Sequence, residues 1–163
     1  MIKLIPHPLT KEAFAPYGQV IDMDEQDSFL INEGTTRRFD AIAQIDVAAE
    51  NGVPVLSIFR AEKRNFPFVI QMLERHPLGS QTFLPMQDYD WLVVVARGET
   101  PSVETCEVFI AKGNQGVQYS AGTWHHPLLI YKPNQDFWVI DRRGEGDNLQ
   151  EHWFEGILAE IDI

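Results

Sequence analysis

The stretch that decides the fold is "WLVVVARGETPSVETCEVFIAKGNQGVQYS", Trp91 to Ser120. It holds three runs rich in β-branched and aromatic residues: "WLVVVAR" (91–97), "CEVFIA" (106–111) and "GVQYS" (116–120). Arg97-Gly98 and Gly113-Asn114 punctuate them, and no amphipathic helical pattern lies between. Short runs bounded by turn residues read as strands. The same grammar extends outward in both directions. "VPVLSIFR" (53–60), "FPFVIQMLERH" (66–76) and "TFLPM" (82–86) come before, and "PLLIY" (127–131) and "FWVIDR" (137–142) come after. Asn51-Gly52, Pro77 with Gly79, Gly122 and Pro133-Asn134 supply further turns. Many short strands without crossover helices predict a mainly β protein, an antiparallel sandwich or barrel.

One short helix is expected, near the N-terminus. In "LTKEAFAPYGQVID" Thr10 is the N-cap, Ala13, Phe14 and Tyr17 follow at helical spacing, and Pro16-Tyr17-Gly18 ends the turn. At the other end, "DNLQEHWFEGILAEIDI" places Trp153, Phe154, Ile157 and Leu158 near helical spacing, weakened by Gly156. Six acidic residues and no lysine or arginine follow Gly144, so this stretch reads as a solvated acidic tail that packs its apolar side on the barrel or on a partner subunit.

The 163 residues predict one domain, spanning 1–163. A chain of this size buries roughly 68–70% of its unfolded surface, enough for a substantial core. Hydrophobic residues make up 44% and charged residues 23%, an ordinary globular balance. The formal charge is −11, from 13 basic and 24 acidic residues. Such a field repels phosphate backbones and anionic membranes, which argues against a nucleic-acid or membrane partner. It also means that an anionic substrate needs a local basic pocket. The single cysteine, Cys106, excludes an intrachain disulfide and fits a reducing compartment. In the alternating run "TCEVFIA" it reads as a buried strand thiol. "MIKLIPHPLT" is too short and too broken by proline for a signal peptide, and no apolar run approaches a membrane span of about 18 residues. A soluble, cytoplasmic protein is expected.

Three groups carry chemistry. In "ERHPLGSQTFLPM" (74–86), Glu74 and His76 lie two apart, so on a strand they share a face while Arg75 takes the other. Gln81 follows a turn and can enter the same face. A carboxylate, an imidazole and an amide oxygen around one cavity suit a divalent metal. Equally, Glu74 can pair with an arginine and His76 can be an ordinary strand histidine. Spacing alone leaves both readings open. In "GVQYSAGTWHHPL" (116–128), Gly122 marks a tight turn and Trp124-His125-His126 re-enters a strand, so one of the two histidines faces a given pocket and the other packs elsewhere. The third group is basic: Arg37-Arg38, Arg60, Lys63-Arg64 and Arg142-Arg143. Most such pairs are solvated surface. Arg60 and Arg142 end apolar strands and are the candidates for a bidentate grip on a carboxylate. Asp141 either pairs with an arginine or orients a histidine. Phosphate-binding glycine loops, a G-x-S-x-G elbow and zinc-finger spacing are absent.

The first two groups together resemble a known pair of motifs. Glu74-x-His76-x4-Gln81 resembles the first cupin motif, H-x-H-x(3–4)-E, with Glu74 for the first histidine and Gln81 for the glutamate. "GVQYSAGTWH" resembles the second: Gly116, Gly122 and His125 fall in place, and Ser120 stands where proline is usual. More specifically, "LERHPLGSQTFLPM" (73–86), "NQGVQYSAGTWHHPL" (114–128) and "DFWVIDR" (136–142) resemble the ureidoglycolate lyase family, also called ureidoglycolate hydrolase. "EAFAPYGQVI" and "SIFRAEKRNFPFVIQML" extend the likeness toward the N-terminus.

That resemblance implies a cupin-type, jelly-roll-like antiparallel β-barrel with a short N-terminal helix, and a homodimer. It implies cleavage of (S)-ureidoglycolate to glyoxylate and urea in allantoin catabolism, stimulated by a divalent metal, usually nickel. On this reading His125 or His76 is the base, with His126 behind, and Glu74 relays the proton to urea if burial raises its pKa. Glu74, His76, Gln81 and His125 are the metal ligands, and Arg60 or Arg142, with Gln81 and Asp141, holds the substrate. The competing expectations are a non-catalytic cupin that binds a small acid, and another metal-dependent cupin enzyme.

Overall fold

The structure, a computed structural model, describes residues 1–163. In chain order the strands begin with β1 (Ile2–Leu4), β2 (His7–Pro8), β3 (Gly18–Ile21), β4 (Ser28–Ile31), β5 (Thr36–Phe39) and β6 (Val53–Ala61). The central group is β7 (Phe68–Ile70), β8 (Met72–Arg75), β9 (Gln81–Pro85), β10 (Trp91–Ala96) and β11 (Cys106–Ala111). The last are β12 (Gly116–Tyr119), β13 (Trp124–His125), β14 (Gln135–Arg143), β15 (Gln150–Trp153) and β16 (Ala159–Ile161). The single α-helix, α1, is one turn, Lys11–Phe14. Thr10 caps it as its sequence predicts, its Oγ1 accepting from the Ala13 N–H at 3.2 Å.

Two large sheets carry the fold. One has six strands in the order β15-β8-β13-β10-β11-β2, the other five in the order β3-β12-β9-β14-β6. Pairing is antiparallel throughout both, except where β2 joins β11. The sheets face each other across one core: Trp91, Val93, Val95 and Phe109 from the first meet Val117, Tyr119, Phe83, Phe137 and Val139 from the second. Phe14 of α1 fills the same core. This is the mainly β, jelly-roll-like arrangement that the sequence predicts, in the form of two facing sheets that do not close into one hydrogen-bonded ring.

Strand β10 shows why its sequence is uninterrupted in apolar residues. Trp91, Val93 and Val95 point into the core between the sheets. Leu92, Val94 and Ala96 point the other way, into a second core with Leu73, Trp124 and Ile161. A three-stranded sheet, β1-β16-β7, lies on that side. A strand buried on both faces needs apolar side chains on both.

Two expectations fail. "PLLIY" forms no strand; only a single bridge, Leu129 to Leu92, survives between Pro127 and Pro133. Proline lacks the N–H that a ladder requires. The C-terminal stretch is no solvated tail. Its first part, β15, pairs with β8, and β16 is the middle strand between β1 and β7. Gly156 turns the chain between them at φ 80. Ala159 and Ile161 are buried while Glu160 is half-buried, a two-residue alternation that outweighs the weaker helical spacing.

Candidate functional site

The site grows from the contact of β8 with β13. His125 sits directly opposite Glu74 across this pair and beside Val95 on its other flank. All three therefore face the inner core. His125 is 1% exposed, and Tyr119 from the facing sheet stacks flat on its ring at 4.1 Å. Trp124, one residue earlier, points into the outer core. His76 follows Glu74 by two and returns to the same face; its ring centre is 5.3 Å from that of His125. The turn before β13 is pinned to it, because the Gly122 N–H donates to the His76 carbonyl at 2.9 Å. Gly122 has φ 80, a left-handed conformation that glycine takes at no steric cost.

The protonation of both imidazoles follows from their partners. His76 Nδ1 lies 2.8 Å from the Asn148 carbonyl and His125 Nδ1 lies 2.9 Å from the Thr123 carbonyl. A carbonyl oxygen only accepts, so each Nδ1 is a donor and each Nε2 is turned toward Glu74. Both Nε2 atoms are buried and have no hydrogen-bond partner. Glu74 Oε1 stands 3.6 Å from His125 Nε2 and 4.0 Å from His76 Nε2, too far for hydrogen bonds. The three ligand atoms lie within 4.8 Å of one another. Buried polar atoms are seldom left unpaired, since each costs about 1–3 kcal/mol. Two imidazole nitrogens and a carboxylate oxygen at this spacing fit a divalent transition metal. They fit equally a small polar molecule.

From the opposite sheet, Gln81 stands beside Tyr119 across the β9–β12 pair. Its Nε2 donates to Asp141 Oδ2 at 3.2 Å, which fixes the amide so that Oε1 is free, and that oxygen is buried without a partner. Burial pushes the Glu74 carboxyl up, but the His125 imidazole, with His76 and His126, more than offsets it and holds the group below its ordinary value. The condition on which Glu74 would relay a proton, a pKa raised by burial, is therefore not met: the carboxyl is ionised at neutral pH. Burial, with the Glu74 charge, pushes the Tyr119 phenol far up, so it stays neutral.

A cleft of about 480 Å³ leads outward from Glu74. Phe59 and Phe83 line it, and Arg60, Lys63 and Arg64 form its basic rim. Three basic side chains against the carboxylates of Glu62 and Glu74 make this cleft far less acidic than the chain as a whole, whose net charge is −11. Another cleft, also about 480 Å³, is lined by Asp22, Asp24, Asp27 and Asp40 beside Lys11, and would repel an anion.

The remaining predicted residues lie apart. Arg60 is exposed on the rim and makes a bidentate pair with Asp136, at 2.8 and 3.2 Å. Arg142 is buried away from the cluster. Its Nε and Nη2 donate to the carbonyls of Ala49, Glu50 and Glu145. Gly52 and Gly144 wall it in, since a Cβ at either would press on its guanidinium. It holds two loops together. His126 leaves the cluster too: its Nδ1 turns to the Pro127 carbonyl at 2.8 Å, its ring meets Phe68 edge-on, and burial pushes it down to about 4. Sequence reasoning missed Tyr119, although its spacing from Val117 marks it as inward. It also missed Thr123 and Asn148, which act on the imidazoles through main-chain oxygens and so leave no side-chain pattern.

The chain is similar to known proteins over nearly its whole length. A family model described as "Ureidoglycolate lyase" matches residues 1–160. The ureidoglycolate lyase of Pseudomonas syringae pv. syringae is 50% identical over 99% of this chain and 96% of its own. That of P. syringae pv. tomato is 47% identical over 95% and 92%, and that of Pseudomonas putida 46% over 94% and 93%. With a match of that length and identity on a chain whose two motifs meet in one cavity, the protein belongs to the ureidoglycolate lyase family.

Proposed function

We propose that this protein is a carbon–nitrogen lyase that cleaves ureidoglycolate to glyoxylate and urea. The observation that carries this is the convergence of two buried, unpartnered imidazole nitrogens on an ionised Glu74 at the end of a basic-rimmed cleft. Ureidoglycolate is a carbinolamide beside a carboxylate. Its cleavage moves one proton from the hydroxyl to the departing urea nitrogen while the carbonyl of glyoxylate forms. A neutral imidazole with its lone pair facing the cavity can take that proton. The Glu74 carboxylate, 3.6 Å from His125 Nε2, stabilises the imidazolium that results. That imidazolium then returns the proton to the nitrogen. Glu74 thus acts by charge, and His125 or His76 carries the proton. Gln81, fixed by Asp141, offers its Oε1 to a substrate N–H or hydroxyl. The carboxylate of the substrate lies toward the basic rim.

Glu74, His76 and His125, with Gln81 Oε1, are also the residues that would hold a divalent metal such as nickel. Bound there, it would polarise the hydroxyl and carboxylate as a Lewis acid. The histidine lone pairs serve one use at a time, so a histidine that holds metal is not the base. The family resemblance further supports a homodimer in the cytoplasm. An exposed apolar face on edge strand β6 and its neighbour β14, Leu56, Ile58 and Trp138, suits such an interface. No helix is long and apolar enough to cross a membrane.

The deciding experiment incubates the protein with (S)-ureidoglycolate and measures glyoxylate, urea and ammonia, with and without chelator. Glyoxylate and urea in equal amounts are expected. Ammonia in place of urea would mean amide hydrolysis, and absence of glyoxylate under every metal condition would sink the lyase reading. In the same preparations nickel is expected to raise the melting temperature of the wild type and not of His76→Asn, whatever the activity.

A further inference from the structure

The geometry points to Arg64, rather than to Arg60 or Arg142, as the residue that grips the carboxylate of the substrate. The inference rests on the lyase reading above.

The three arginines differ in what already occupies them. The Arg142 guanidinium is committed to carbonyl oxygens away from the cleft. The Arg60 fork is filled by both oxygens of Asp136. A carboxylate arriving there would compete with an ion pair already made in bidentate form. Arg64 stands between two clefts, the one that holds Glu74 and the neighbouring one walled by Phe68 and His126, and has no carboxylate within ion-pair distance, although Glu62 lines the first.

Arg64 is also held in position. Its backbone N–H donates to the Ile130 carbonyl at 3.0 Å, which anchors the loop after β6. Its guanidinium carbon lies 5.1 Å over the centre of the Phe68 ring. Phe68 in turn meets the buried His126 ring edge-on at 5.2 Å. A guanidinium resting on an aromatic face keeps its N–H edge free for a planar anion. His126, which the catalytic cluster does not use, thereby acquires a place: it is the floor beneath the platform of Arg64. The adjacent Lys63 adds charge to the rim. It is a flexible point charge and lacks the planar fork that distinguishes a carboxylate.

The test is kinetic. Arg64→Gln is expected to raise KM for ureidoglycolate on the order of tenfold or more, with kcat within about threefold. Arg64→Lys is expected to fall between the variant and the wild type. Arg37→Gln removes the same charge from the β4–β5 hairpin and is expected to leave KM within about twofold. Glycolate, a minimal 2-hydroxy carboxylate, is the second probe: its dissociation constant, measured by calorimetry, is expected to rise in Arg64→Gln in parallel with KM. An unchanged KM and glycolate affinity in Arg64→Gln would overturn the inference, as would an effect equalled by Arg37→Gln. So would a loss confined to kcat. A wild type that binds glycolate but releases no glyoxylate would refute the lyase reading alone, and glycolate affinity would still decide Arg64. A wild type that binds no glycolate overturns the inference itself.

Discussion

Two of the places where this molecule buries polar side chains are built on opposite terms. Around Arg142, glycines withdraw to make room and three main-chain carbonyls receive the guanidinium. Around Glu74, His76 and His125, three polar atoms come together and the two imidazole nitrogens have no partner. Fold stability alone would favour the first arrangement everywhere, because an unpaired buried polar atom costs about 1–3 kcal/mol. The second persists where something outside the chain completes it. Partner satisfaction, more than residue type, separates a structural charge from a functional one here.

The strongest way to break this comparison is to neutralise the unsatisfied cluster. Glu74→Gln and His125→Asn are expected to lower kcat/KM by about 10²–10⁴-fold, the usual weight of proton transfer and its electrostatic support. Glu74→Gln is not expected to lower the melting temperature by more than a few degrees, since Glu74 gives up no hydrogen bond, whereas His125→Asn also loses the stack on Tyr119 and is expected to lower it further. Steady-state kinetics beside a thermal melt checks both. A variant that unfolds while its folded fraction stays fully active would make the cluster structural.

Arg142→Leu is the mirror experiment. Three carbonyls lose their donor, and a loss of about 3 kcal/mol or more is expected. For a chain of this size that lowers the melting temperature by about 6–12 °C. Activity per folded molecule, assayed well below the melt, is expected to persist. Loss of substrate affinity at an unchanged melting temperature would return Arg142 to the substrate-binding role that its sequence position suggests.

The fold was legible where local pattern and tertiary burial agree. Strand β11 spans the residues that its sequence predicts, and β10 does so to within one residue, because each run is apolar and bounded by turns. Legibility failed where partners are remote. Strands β1 and β16 are three residues each and exist because the two ends of the chain pair with each other. No window of sequence contains that information. The site divides in the same way. Glu74, His76 and His125 were visible as side chains of the right chemistry at strand spacing. That Arg142 faces away, and that Asn148 and Thr123 set the imidazole tautomers, depends on loops meeting across the fold. Whether burial raises the Glu74 pKa depends on the histidines beside it, which only the fold brings together.

Cys106 sharpens the comparison at its small end, as a reactive group placed on the satisfied side. It is 7% exposed in the outer core, and its Sγ reaches the Ser102 carbonyl at 3.5 Å. Burial, with a smaller push from Glu104, moves the thiol up to about 12. The thiolate is the nucleophile, so at pH 8 the folded protein offers almost none. Ellman's reagent is expected to leave Cys106 untouched in the native state and to react fully once denaturant unfolds the chain. The sign of the pH effect follows. The folded thiol holds its proton where the unfolded one, near its ordinary value of 9.0, releases it. Its contribution to stability is therefore complete below about pH 9 and is lost as pH rises toward about 12. Cys106→Ala is expected to cost about 1 kcal/mol, to remove that alkaline slope and to leave kcat/KM unchanged. Fast labelling of the native protein at pH 8 would show that a group with its polar atom placed can still be reactive, and would break the rule that satisfaction marks structure.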